Sequence, residues 1–184
     1  MNTIGYADEI LAELKRTINL INSEETEKLV EGILHAKKVF VAGGGRSGFM
    51  AKAFVMRMMH VGLDSYIVGE TVTPNLELDD IFIVGSGSGE TQSLVAMTKK
   101  AKSIGATVVA VTINPDSTIG KLADIKIEIP AQVKGDGNSG KSIQPMGSLF
   151  EQSLLLYFDA VILRVMEKKG LNSEMMYGRH ANLE

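Results

Sequence analysis

Apolar residues along this chain alternate between two spacings. Ile10, Leu11, Leu14, Ile18 and Ile21 recur at helical intervals and predict an amphipathic N-terminal helix. Ser23 reads as the N-cap of a second helix that continues through Glu31 and His35. From Lys38 the period changes. Short apolar runs at 38–42, 65–68, 81–84, 107–113 and 124–129 read as five β-strands. Helical patterns separate most of them: one with Met50, Phe54, Met58 and Val61, one from about Thr91 to Ser103, and a short one that the turn Asn114-Pro115-Asp116 starts near Ser117. A long final helix is expected from Gly147 to Lys168. Strands this apolar, alternating with helices, imply an α/β fold: a three-layer sandwich with a five-stranded parallel sheet covered on both faces. No repeat or linker divides the 184 residues, so a single domain spanning 1–184 is expected.

Ligands of an open parallel sheet bind beyond the carboxyl ends of the strands, where the strand order reverses. In a flavodoxin-like order the first and third strands are neighbours at that point. The first ends in Gly43-Gly44-Gly45-Arg46-Ser47, the third in Gly85-Ser86-Gly87-Ser88-Gly89-Glu90-Thr91. Glycine lets backbone N–H groups converge and a ligand come close. Ser86, Ser88 and Thr91 add hydroxyl donors, and Thr91 falls near the positive end of the following helix. Arg46 adds a guanidinium able to hold phosphate through two N–H groups. The two loops therefore read as a phosphate site made of Arg46, Ser47, Ser86, Ser88 and Thr91, against the plainer reading of flexible turns.

Two motif matches point elsewhere. Gly43 to Gly48 satisfies GxGxxG, with Glu70 as a candidate ribose-binding acid, but a dinucleotide site leaves the second serine loop without a role. Gly135 to Ser142 satisfies GxxxxGKS. It stands away from the fifth strand, and Pro145 falls inside the helix such a loop requires. The polar stretch 131–144 reads instead as a flexible lid.

Composition narrows the setting. The net charge of −3 argues against nucleic acid as a partner, and the absence of cysteine excludes disulfides and thiolate chemistry. Three histidines, His35, His60 and His180, leave little scope for a metal cluster. No apolar run approaches the roughly 20 residues of a membrane span, and Asp8, Glu9 and Glu13 interrupt any secretory leader. Met50, Met56, Met58 and Met59 crowd one helix, which suggests burial by more than its own sheet.

Glu151 lies about one turn into the final helix, among Leu149, Phe150, Leu154 and Leu155. A carboxylate there is either an acid/base group in apolar surroundings or a glutamate favoured by the helix dipole. Spacing alone leaves both readings open.

Taken together, the N-terminal helix, the Gly-Arg-Ser turn, the Gly-Ser-Gly-Ser-Gly-Glu-Thr loop, the stretch Gln144 to Glu151 and the ending Tyr177 to Glu184 resemble the sugar isomerase (SIS) domain family over nearly the whole chain. The resemblance is to its ketose-phosphate isomerases. It implies interconversion of D-arabino-hex-3-ulose 6-phosphate and D-fructose 6-phosphate through a cis-enediol, in the ribulose monophosphate route of formaldehyde fixation. It implies Glu151 as the base. His60 and His180, whose imidazoles titrate near neutral pH, are the candidates to assist it, against the plainer reading of surface or interface packing for each, and His35 reads as structural. The resemblance further implies no cofactor and no metal, a cytoplasmic homotetramer, and a phosphosugar substrate with neither nucleic acid nor membrane as partner. The N-terminal helices (1–36) and the tail (169–184) would then make oligomer contacts. Another phosphosugar isomerase, or a non-catalytic phosphosugar sensor, is the alternative on the same fold.

Overall fold

The computed structural model describes residues 1–131 and 142–183. All of the GxxxxGKS match but Ser142, and most of the expected lid, lie outside the described residues.

Five strands form one parallel sheet: β1 (Val39–Gly43), β2 (Ser65–Ile67), β3 (Ile81–Gly85), β4 (Thr107–Thr112) and β5 (Ile125–Glu128). Their order is β2-β1-β3-β4-β5, which is the expected flavodoxin-like arrangement. β1 and β3 are paired so that Gly43 stands opposite Gly85. The two phosphate-site loops therefore leave the sheet side by side, at the crevice where the chain direction of winding reverses.

Among the described residues seven helices accompany the sheet: α1 (Thr3–Ile18), α2 (Ser23–His35), α3 (Gly45–His60), α4 (Gln92–Ile104), α5 (Thr118–Leu122), α6 (Ser148–Lys169) and α7 (Ser173–Tyr177). Strand side chains alternate between two cores, as the pleat requires. Val39, Val41, Ile81 and Ile83 pack with Phe54, Leu154 and Phe158 beneath α2, α3 and α6. Phe40, Ala42, Phe82 and Val84 pack with Leu94 and Ile119 beneath α4 and α5. The Phe54 and Phe158 rings stack at 4.1 Å between centroids, joining α3 to α6. Each such fully buried aromatic stabilises the fold by about 1.5–3 kcal/mol, so α6 is held firmly along its length.

Two local expectations change. Asn22, not Ser23, caps α2: its Oδ1 accepts the N–H groups of Glu24 and Glu25 at 2.8 and 3.0 Å. In α1 the buried side chains are Glu13, Leu14 and Thr17, whereas Leu11 is exposed. The helix ends at Ile18, so Ile21 belongs to the connection that follows. Within the tail, Ser173–Tyr177 forms α7 with Asn172 as its cap.

Candidate active site

The two loops and the start of α6 enclose a cavity of about 380 Å3, lined by Arg46, Ser47, Ser86, Ser88, Thr91 and Glu151 among others. All five residues of the expected phosphate site and the expected base thus face one space. The helices explain its character. α1, α2, α5 and α7 each have a side-chain cap, from Asn2, Asn22, Ser117 and Asn172. α3, α4 and α6 have none: their N-caps are Gly44, Thr91 and Gly147, without a side-chain hydrogen bond. Those three N-termini are the ones that open on the cavity. Helix N-termini without side-chain caps, three of them on one cavity, suit it to an anion.

The serine loop is held from below and open above. Its backbone is pinned by Ser86 N–H to Val111 O (3.0 Å) and Ile113 N–H to Gly87 O (3.1 Å). Glu90 fastens it to α5 by accepting the Thr118 N–H at 2.7 Å, and this bond holds the Glu90 carboxyl below the usual carboxylate range. Gly89 has φ +65°, and a Cβ there would collide with Ser117. Gly85 and Gly87 serve a different need from the expected ligand approach. A Cβ on Gly85 would stand 3.1 Å from Leu154, and one on Gly87 3.3 Å from Phe150. Their bareness lets α6 settle onto the loop, which places Glu151 over it.

Glu151 is buried, at 8 % exposure. Its Oε2 lies 3.1 Å from Arg46 Nη1, and the same nitrogen donates to Ser148 Oγ at 2.8 Å. The carboxylate is in the first turn of α6, as the dipole reading requires, and beside the cavity, where an acid/base group would have to stand. Arg46, half-exposed, points at the carboxylate rather than only at the serine loop. Ser148 went unnoticed in the sequence, although Ser148-Leu149-Phe150-Glu151 has the form of a capping box. The box does not close, because Gly147 takes the cap position and Arg46 engages both side chains.

Glu13 was also missed. It is a carboxylate on the inner side of α1, and its one signal is its place beside Leu14 on the buried stripe. Burial favours its neutral form, but hydrogen bonds from Ser142, Gln144 and Ile143, with the Arg16 charge, outweigh this and lower its pKa. The turn it holds contains Met146 at φ 57°, the non-glycine residue with positive φ among those described. Such a conformation costs roughly 1–3 kcal/mol.

The histidines are elsewhere. Arg46 and His60 stand at opposite ends of α3, about 21 Å apart along its axis. His60 and His180 stack at 5.5 Å between ring centroids, in a second cavity of about 440 Å3 shared with Arg57, Asp159 and Tyr177. His60 is covered and Arg57 Nη1 lies 3.4 Å from its Nδ1; His180 is exposed. Within one chain neither ring is brought to Glu151. His35 donates from Nδ1 to Glu31 O at the end of α2. Glu70, the candidate ribose acid, pairs with Lys52 at 2.7 Å.

Known proteins share this fold and much of this sequence. The profile of the SIS domain matches residues 32–156. The chain is 55 % identical to 3-hexulose-6-phosphate isomerase of Bacillus subtilis (strain 168), over 100 % of both chains. It is 40 % identical to 3-hexulose-6-phosphate isomerase of Mycobacterium gastri, covering 94 % of this chain and 86 % of that one. A crystal structure from Methanococcus jannaschii, from which a molecular function of 3-hexulose-6-phosphate isomerase was inferred, superposes with a TM-score of 0.82. It is 36 % identical, with 97 % of each chain covered. Paired glycine-serine loops at the switch point of a 2-1-3-4-5 sheet, together with these full-length likenesses, place the chain in the SIS domain family.

Proposed function

We propose that this protein interconverts D-arabino-hex-3-ulose 6-phosphate and D-fructose 6-phosphate, as the second step of the ribulose monophosphate route. The observation that carries the reading is the meeting of three helix N-termini without side-chain caps, a serine loop and a buried carboxylate in one cavity. The full-length likeness to hexulose-phosphate isomerases supports the choice of substrate.

The 6-phosphate rests on Ser47, Ser86, Ser88 and Thr91 and completes the caps of α3 and α4. This anchor fixes C2 and C3 near Glu151. The Glu151 carboxylate takes the proton from C2, and the C–H electron pair becomes the C2=C3 bond as the C3 carbonyl becomes an enediolate oxygen. Transfer of the O2 proton to O3 and return of a proton from Glu151 to C3 complete the isomerisation. No atom is gained or lost. Arg46, which touches Glu151, stabilises the developing oxyanion and, through its remaining N–H groups, also faces the phosphate. The structure described carries the imidazoles far from this centre, so a histidine can assist only from another subunit. His180 is the exposed ring of the stacked pair, and we assign that part to it, with His60 supporting it from behind.

A homotetramer accommodates this sharing. α1 exposes Ile4, Tyr6 and Leu11, α3 exposes Phe49, Met56 and Met59, and α6 exposes Leu156 and Leu163. These apolar side chains are suited to subunit contacts. Among the described residues no helix is long and apolar enough to cross a membrane; the cytoplasm is the compartment this reading implies.

The decisive experiment is a coupled assay that follows fructose 6-phosphate from hexulose 6-phosphate made in situ from ribulose 5-phosphate and formaldehyde. Rapid product formation is expected. A flat trace with folded protein would remove the reading.

A further inference from the structure

The segment that delivers Glu151 to the cavity is tied to the far side of the molecule. Glu13, in the last turns of α1, accepts three hydrogen bonds from three consecutive residues. Its Oε1 accepts the Ile143 N–H at 2.8 Å. Its Oε2 accepts from Ser142 Oγ at 2.6 Å and Gln144 Nε2 at 2.9 Å. Glu13 and Gln144 are both more than nine-tenths buried. Immediately after this clasp come Pro145, Met146 in its left-handed conformation, and Gly147, which begins α6. The Ser148 N–H then bonds Pro145 O at 3.2 Å, and the Glu151 N–H bonds Gly147 O at 3.0 Å.

A strained turn persists only where its surroundings over-determine it. The Pro145–Gly147 turn is followed by α6, which packs closely on the serine loop through Phe150 and Leu154, and is preceded by the Glu13 clasp. A buried carboxylate with three donors is also a costly device for merely attaching a helix. Leu14 already packs α1 onto the body of the fold. The geometry points to Glu13 as a positioning residue for the isomerisation: its carboxylate holds residues 142–144, and through the strained turn sets the placement of Ser148 and Glu151 at the cavity. The inference rests on Glu151 acting as the base, as proposed above, and adds a residue outside the cavity on which that action depends.

The test is Glu13→Gln, with wild type measured alongside. Glutamine has the same shape but replaces one acceptor oxygen by a donor that faces the donors of Ser142 and Gln144. Displacing a reacting group by about 1 Å can cost on the order of 100-fold in rate. Accordingly kcat for fructose 6-phosphate formation is expected to fall by about 10- to 100-fold. KM should change little, because the phosphate site is on other elements. The swap Glu13→Gln with Gln144→Glu restores donor–acceptor matching and should recover much of kcat. Hydrogen exchange gives a readout that needs no turnover. In Glu13→Gln the amides of residues 143–151 should exchange faster while those of α1 remain as in wild type.

Unchanged kcat, or unchanged exchange at 143–151, would overturn the inference, as would a loss of activity that follows opening of α1 and is not recovered by the swap. Should Glu13→Gln fail to fold, Gln144→Met removes one donor and leaves the carboxylate in place, with a kcat loss of about 5-fold expected. A wild-type enzyme that forms no fructose 6-phosphate would sink the proposed reaction, while the exchange measurement would still decide whether Glu13 holds the turn.

Discussion

Glu151, the serine pair Ser86 and Ser88, and His60 each make a separate demand. Glu151 requires that Glu151→Gln lose about 10²- to 10⁴-fold in kcat while fructose 6-phosphate still binds by calorimetry. Near-normal turnover would show that another group is the base. Ser86 and Ser88 should behave in the opposite way. Ser86→Ala with Ser88→Ala removes two donors to a charged group, each worth about 1.5–3 kcal/mol, so KM should rise at least 10-fold with a smaller effect on kcat. An unchanged KM would place the phosphate elsewhere. His60 carries a pH dependence of stability. Burial first, then the Arg57 charge and the His180 ring, lower its pKa. Arg179 donates to its backbone carbonyl, and Asp159 lines the same cavity. The unfolded ring takes up a proton near pH 6.5, before the folded one does. Stability is therefore full above about pH 6.5 and declines as pH falls toward the lower folded-state pKa. Melting temperatures of wild type should drop through that window more steeply than those of His60→Gln, and parallel curves would rule the coupling out.

Among the elements, α6 has the decisive placement. It supplies much of one core, and its first turn supplies Glu151. Gly85 and Gly87 set how closely it approaches the serine loop. Gly87→Ala places a methyl group against the Phe150 ring and should cost about 1–3 kcal/mol by overpacking. Because the obstructed ring is next to Glu151, activity should fall by more than the loss of folded protein explains. Gly85→Ala acts one turn deeper, against Leu154, and pairing it with Leu154→Val should return part of the stability. Thermal melts of the single and double variants measure that coupling. Strict additivity in the pair would mean that the glycine is not there for the helix.

For the whole molecule the question is how the imidazoles meet the carboxylate. In one chain they occupy separate cavities at opposite ends of α3. If sites are shared, a tetramer mixed from Glu151→Gln and His180→Ala subunits contains some sites with both groups intact. Such mixtures should regain activity that neither variant has alone, and light scattering should show four subunits. A mixture no better than its components, from variants that do assemble, would confine catalysis to a single chain and remove His180 from it.

Much of this arrangement was readable in the order of residues. Short continuous apolar runs mark the strands, and the glycine-serine segments after Ala42 and Val84 mark where a ligand would sit, because local hydropathy and turn chemistry are properties of neighbouring residues. The resemblance of Gln144 to Glu151 to a known family brought the proposed base into view before any contact was known. Other features arise only when distant segments meet. Asn22 rather than Ser23 caps α2 by a one-residue difference in where the backbone turns. Gly85 and Gly87 are bare because α6, more than 60 residues later, must pass close to them. Arg46 pairs with a carboxylate 105 positions away, and Glu13 clasps a segment about 130 positions away. Hydrogen bonds and close packing across such separations leave no periodic trace in the chain. They come into being only when the sheet brings its loops and α6 to one end of the molecule.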